Sequence, residues 1–337
     1  GTDTDWVKIS AFAQGGFAIK SNGTLGSWGY TISYATGQGS ALSFTVPTQI
    51  GTDTNWLDVF GGAYGGIALK TNKTLWSWGS SNSYATGQNT LTDIQVPTQI
   101  GTDTNWVAIA MSSYTGYALK QDGSLWSWGS SASYATGQNT LTDIQVPTRV
   151  GTRNDWAAVF GGFTSSTGFA RDYAGNCYSW GSSSNYEGGN GSTGSITVPA
   201  VITGAAGWGS FSASTSVFAI NGLPLPVFGS LFAWGINGLG QTAQNLAAGL
   251  TTTPTLSPFA ANNWLVIAAG NSATGATGGI AGGIQSDNTL WTWGTNAQGS
   301  GLGSGSIGPV SNANDNFLPT QVCTDTECAA LSMGYYR

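Results

Sequence analysis

The acidic residues that return at a fixed spacing are where this sequence could first do chemistry. Asp3, Asp53 and Asp103 stand in Gly-Thr-Asp-Thr stretches fifty residues apart, and Asp93 and Asp143 stand in two identical loops. An Asp in a turn accepts backbone N–H bonds and fixes the turn. A calcium loop would need several carboxylates grouped closely, and each turn here offers one or two. No two carboxylates stand out as an acid–base dyad. The chain has no histidine, so imidazole-dependent triads and His-ligated metals are excluded, and proton transfer near neutral pH loses its commonest agent. Catalysis is therefore not expected, and no metal or cofactor is implied.

Lys20, Lys70, Lys120 and Arg171 close equivalent segments of the repeat described below. Either they form a ring of positive charge facing an acidic partner, or they are solvated strand ends whose aliphatic stems lie on apolar neighbours. Of the three cysteines, Cys177 falls in a strand register and reads as a buried free thiol. That leaves Cys323 and Cys328, which replace the glycine and the tryptophan of the repeat's opening motif. A six-residue span can bring their Cα atoms within the roughly 4.4–6.8 Å that a bridge requires, so a local disulfide is expected.

Composition narrows the partner. Only 7% of the 337 residues are charged, against roughly 25% in an ordinary soluble protein. Nine basic residues and a net charge of −6 oppose binding to a phosphate backbone, so nucleic acid is not an expected partner. No apolar run reaches the 18 or so residues of a membrane span, and the first residues lack a signal-peptide profile. The chain is expected to be soluble, complete in itself and not inserted in a membrane. Its 52 glycines, with abundant Ser, Thr and Asn, favour turn-rich β structure over helix.

The elements that must position these residues follow from internal repetition. Gly-Thr-Asp-Thr-Asp-Trp at 1–6 returns at 51–56, 101–106 and 151–156, and more loosely ahead of Trp208 and Trp264, at spacings of 50, 50, 50, 52 and 56. A Trp-Gly pair recurs at Trp28, Trp78, Trp128, Trp180, Trp234 and Trp293, and a third Trp precedes it by two residues at Trp76, Trp126 and Trp291. Together these account for all 15 tryptophans, which are read as core. Each repeat divides into about four short strands, the last holding Val-Pro-Thr or a variant of it, where Pro suits a strand start or an edge. Four-stranded units of this length stack radially in a propeller, whereas solenoid coils are shorter. The fold class is thus all-β: a β-propeller of four-stranded blades, with six full repeats (1–50, 51–100, 101–150, 151–202, 203–258, 259–317) and a partial seventh (318–337).

The loops 30–46, 80–96 and 130–146 leave equivalent strands and must emerge side by side on one face. They carry Tyr34, Tyr84 and Tyr134, each followed by Gly-Gln, and the last two carry Asp93 and Asp143. Tyr offers a large amphipathic area at low entropy cost, so these five residues are the expected binding surface. The alternative is that the tyrosines pack under their own loops.

Trp-x-x-hydrophobic, then Ala-Leu-Lys, then Gly-Ser-Leu-Trp-Ser-Trp-Gly at 123–129, then Gly-Gln and Val-Pro-Thr, resembles the repeats of the regulator of chromosome condensation family over essentially the whole chain. The resemblance implies a propeller of about seven blades. The nucleotide-exchange activity of the founding member is not carried over, because its surfaces find no residue-by-residue match here. Charge-poor repeats of this kind are similar to bacterial and phage members, which implies a non-enzymatic binding or decorating module, extracellular or on a virion surface. Its partners would be a protein, a surface glycan or neighbouring copies. The rival is a secreted propeller that acts as a protein inhibitor or receptor-like binder through loop aromatics on one face.

Overall fold

The computed structural model describes residues 3–162, 166–202, 208–213, 216–221, 229–236, 242, 250–257, 263–272, 279–294, 316–322, 331 and 335–336. They build six antiparallel sheets, one per repeat. Blade 2 is typical: Trp56–Gly61, Gly65–Lys70, Leu75–Gly79 and Ile94–Gln99 pair in chain order. The first strand of each blade lies inward, against the first strand of the next, and the fourth is the outer edge. This is a β-propeller.

Each of five hydrophobic clusters draws its residues from two successive blades. Their shared element is the Trp-Gly tryptophan. Trp78 lies over Gly66, its cross-strand partner, where a Cβ would stand 2.6 Å from the indole. Across the interface its edge meets Phe17 of blade 1, with ring centroids 5.1 Å apart. Its Nε1 donates to the Ala35 carbonyl of the blade 1 loop at 3.1 Å. Trp128 repeats the bond to Ala85, Trp180 to Ala135 and Trp234 to Glu187. The Gly of the Gly-Gln motif is the other half of this lock. Gly37 has φ +70° and sits where a Cβ would be 2.8 Å from Trp78, so both its conformation and its space require glycine.

The long loops tie the blades a second time. Gly39 N donates to Gln95 O, Asn89 N to Gln145 O, Asn139 N to Thr197 O and Gly191 N to Thr252 O, each reaching the outer strand of the following blade.

Two expectations need correction. The segment expected to open a seventh blade does not: Asn316–Gln321 pairs with Leu290–Gly294 as the outer strand of blade 6, and Val322 N donates to Leu290 O. The Val-Pro-Thr strand belongs to the repeat it follows, because its partner is always the Trp-Gly strand just upstream. Of the rest of that segment, Tyr335–Tyr336 lies parallel on the inner strand of blade 6. Nor is every tryptophan core. Ten are buried, while Trp6, Trp28, Trp76, Trp126 and Trp291 are half-buried.

Trp6 and Trp28 share the face of blade 1 that in every other blade is covered by the blade before it. Ile9 on that face is 41% exposed, against 1% for Val59, 6% for Ile109 and 7% for Val159 at the same place. Among the described residues nothing seals this face as the other interfaces are sealed.

Trp78→Ala or Trp128→Ala is expected to destabilise the chain by about 3–5 kcal/mol, as a large-to-small change in a close-packed interface. Trp28→Ala, made at the uncovered face, is expected to cost clearly less. Denaturant titrations of the three variants check this, and equal losses would contradict the interlocking role.

Candidate functional site

Antiparallel order sorts the connections onto two sides. The turn between strands two and three and the linker to the next blade lie at one end, and the long loop lies at the other.

On the linker side the recurring aspartates do not act as turn-fixing groups. Asp53 Oδ2 is 2.6 Å from Lys70 Nζ, and Asp103 Oδ2 is 2.8 Å from Lys120 Nζ. Nor are these lysines solvated ends or a free cationic ring. Lys70 Nζ lies 4.6 Å from the Trp56 ring centroid and 3.6 Å from that of Trp76, and Lys120 repeats this with Trp106 and Trp126. Each ammonium is held between two indole faces and one carboxylate, a cation–π arrangement strengthened by desolvation. Lys20 pairs with Asp3 and Asp5, and the Asp3 carboxylate raises its pKa.

Blade 4 reverses the charges. Arg153 stands where the aspartate would, and Asp172 faces Trp156 where Lys70 faces Trp56. The Arg153 guanidinium lies 4.6 Å from Trp156 and 4.5 Å from Tyr178, and it bonds Asp155 and Asp172. Arg171 is therefore one place out of the expected lysine register, and its Nη1 donates to Trp208 O. Burial works to raise the Asp172 pKa, but bonds from Asn176, Arg153 and Tyr178 outweigh it and hold the carboxyl below its ordinary value. A depressed carboxyl contributes stability above its unfolded value, about 3.9, and that contribution is lost as pH falls through the lower folded value. Asp172→Asn should therefore reduce stability at neutral pH and narrow the further loss below pH ~4. Urea midpoints at the two pH values measure it, and an unchanged acid loss would refute it.

On the loop side, Tyr34, Tyr84 and Tyr134 stand at equivalent places in successive blades, half-buried, with φ of 58°, 58° and 63°. Asp93 and Asp143 do not join them as contact groups. Asp93 Oδ1 accepts Ser81 N at 3.0 Å and Asp143 Oδ1 accepts Ser131 N at 2.9 Å, so both staple their own loops. Gln38, Gln88 and Gln138 bond the outer strands. Two features escape a reading by motif. Tyr186, at φ 63°, continues the row into blade 4, where Tyr-Ala-Thr-Gly has become Tyr-Glu-Gly-Gly. Tyr64 and Tyr114, from the turns between strands one and two, stack with centroids 6.0 Å apart on the same side. Column-by-column alignment of repeats 3 and 4 would have found the first. Leu42, Leu91 and Leu141 are 60% or more exposed in the same loops.

Burial pushes the Cys177 thiol up to about 12, far from a nucleophilic thiolate. Among the described residues no three of His, Cys, Asp or Glu converge as metal ligands. Cys323 and Cys328, and with them the expected disulfide, lie outside the described residues. In a Cys323→Ser, Cys328→Ser background, Cys177 should resist thiol reagents at mildly alkaline pH until the chain is unfolded. Rapid labelling of the native state would contradict its burial.

No protein-family model and no curated protein matches the sequence. Solved structures do match. Human WBSCR16 aligns with a TM-score of 0.79 at 18% identity, over 99% of this chain and 86% of that one. Prp20p from Saccharomyces cerevisiae, described with its binding to Gsp1p and histones, aligns with a TM-score of 0.81 at 15% identity, over 98% and 80%. Yeast RCC1 (Prp20), in a structure with Kap60, aligns with a TM-score of 0.78 at 14% identity, over 96% and 76%. The fold is thus that of an RCC1-like propeller. These neighbours also correct the expected location. A histone-binding propeller works inside a cell, so structures of this kind point away from an extracellular or virion-surface place, and that reading is withdrawn.

Proposed function

We propose that this chain is a non-catalytic protein-binding module whose docking surface is the rim of long loops on blades 1 to 4. The observation behind this is the row of tyrosines at 34, 84, 134 and 186, all with positive φ. A bulky residue in the left-handed region costs on the order of 1–3 kcal/mol, and strain of that kind concentrates where a site is held ready. The exposed leucines of these loops add apolar area, and the loops of blades 2 and 3 are held by their stapling Asp and Gln residues, so little order has to be gained there on binding. One similar propeller, yeast Prp20, solved with Kap60 and described with its binding to Gsp1p and histones, supports a protein as partner. The sparse charge on the rim suits an apolar, hydrogen-bonding partner surface.

Tyr84→Asn with Tyr134→Asn removes both rings while keeping a residue that tolerates positive φ. The pair is expected to weaken partner capture about tenfold or more, as for interface hot spots, with the melting temperature nearly unchanged. Capture from cell extract, identification of the bound protein and a titration of wild type against variant measure the loss. A large fall in melting temperature, or the same partner bound equally well, would overturn the reading.

A further inference from the structure

In five of the six blades the residue two before the Trp-Gly tryptophan on the third strand is aromatic: Trp76, Trp126, Tyr178, Phe232 and Trp291. In blade 1 it is Gly26. In blades 2 to 5 the ring stands against the first tryptophan of its own blade, as in Trp56–Trp76 and Trp106–Trp126, each 5.7 Å between centroids and nearly perpendicular. In blades 2, 3 and 4 it also flanks the cation of the cage. Where it is a tryptophan, its Nε1 donates at 2.8 Å to a hydroxyl two residues back: Trp76 to Thr74, Trp126 to Ser124 and Trp291 to Thr289.

Blade 1 keeps every partner of that ring and lacks the ring. Trp6 is present, with Lys20 Nζ 4.9 Å from its centroid and Asp3 holding the lysine. Thr24 is present and oriented as Thr74 is, its hydroxyl donating to Asn22 Oδ1 at 2.8 Å as Thr74 donates to Asn72 at 2.7 Å. Its lone pair toward the cage is the one an indole N–H takes in the other blades. A cavity of 220 Å³ occupies the place, lined by Asp3, Trp6, Lys20, Thr24, Gly26 and Pro47 among others. The Lys20 side chain is 24% exposed, against 7% for Lys70 and 11% for Lys120. Nothing in the backbone demands glycine here. A Cβ on Gly26 would meet its nearest neighbours, Thr48 O and Trp6, at an ordinary 3.5 Å.

We propose that this vacated position is a binding site for an indole ring, supplied by a tryptophan side chain of a partner protein. The ring would enter beside Trp6, lie against the Lys20 ammonium and donate its N–H to Thr24 Oγ1, as Trp76 and Trp126 do with Lys70 and Thr74 and with Lys120 and Ser124 in blades 2 and 3. The chemistry selects a flat aromatic ring with one N–H donor: a benzyl ring leaves Thr24 unanswered, and an aliphatic side chain forfeits the cation. The site lies on the linker side, opposite the tyrosine rim, and does not depend on that rim being a docking surface.

The test is a titration of the full chain with N-acetyltryptophanamide, followed by saturation-transfer NMR. Saturable binding is expected, weakened about tenfold or more when the probe's indole nitrogen is methylated or Thr24 is changed to Val. Gly26→Trp should close the site with the chain's own ring, abolish binding and raise the denaturation midpoint. Should Gly26→Trp fail to fold, the methylated probe and Thr24→Val still decide. Absence of saturable binding, binding unchanged in a folded Gly26→Trp chain, or indifference to methylation would overturn the proposal. Indole-3-acetate is run in parallel, and a marked preference for that free acid over the uncharged amide would overturn the assignment to a partner's side chain. Loss of this site would leave partner capture by the tyrosine rim untouched, so the two proposals fail separately.

Discussion

A tryptophan ring carried by one blade and enclosed by the one before it is the contact on which the rest of this molecule depends. A four-stranded sheet with two apolar faces cannot satisfy itself, and here each of blades 2 to 6 buries an indole against the blade before it. The indole brings a polar N–H into a dry interface, where an unanswered donor is costly. The Ala35, Ala85, Ala135 and Glu187 carbonyls answer it. That requirement fixes the path of the long loop. The loop must present a carbonyl at one point and a glycine two residues later, so the tyrosine just before that carbonyl is driven into the left-handed region. The surface proposed to bind a partner is therefore shaped by a packing requirement one layer beneath it.

The same economy governs charge. Few ionisable groups are present, and Lys20, Lys70, Lys120 and Arg153 are each paired with a carboxylate and set against aromatic rings. Blade 4 shows what the cage requires. With Arg153 and Asp172 exchanged for Asp and Lys, a cation still lies between two rings and still touches a carboxylate. The constraint is a cation flanked by π faces and matched by an anion, whichever strand supplies which.

Much of this was legible in the residues. The period, the strand count and the burial of the Trp-Gly tryptophans all follow from one-dimensional regularity, because a repeated strand must repeat its alternation. Contacts that join places without a shared motif were not legible. Asp53 and Lys70 are seventeen residues apart with a strand between them, so nothing in the spacing announces a cage. The staple from Asp93 to Ser81 N reads in sequence as two polar loop residues. At the end of the chain Leu-Pro-Thr-Gln-Val reads in sequence as an opening, whereas its pairing makes it the closure of blade 6. Gly26 was visible as a gap in the column that holds Trp76 and Trp126, but its meaning needed the three-dimensional partners of the missing ring.

The outer strands have one further property. Every one of them contains a proline: Pro47, Pro97, Pro147, Pro199, Pro254 and Pro319. An exposed strand edge is a template for another chain, and most proteins blunt it with lysine or glutamate. This chain has almost no charge to place there. A proline removes one N–H from each outer strand and interrupts the row that a second sheet would need in order to pair. The six prolines thus act as the molecule's defence against edge-to-edge aggregation, a task that charge repulsion performs in more ordinary sequences.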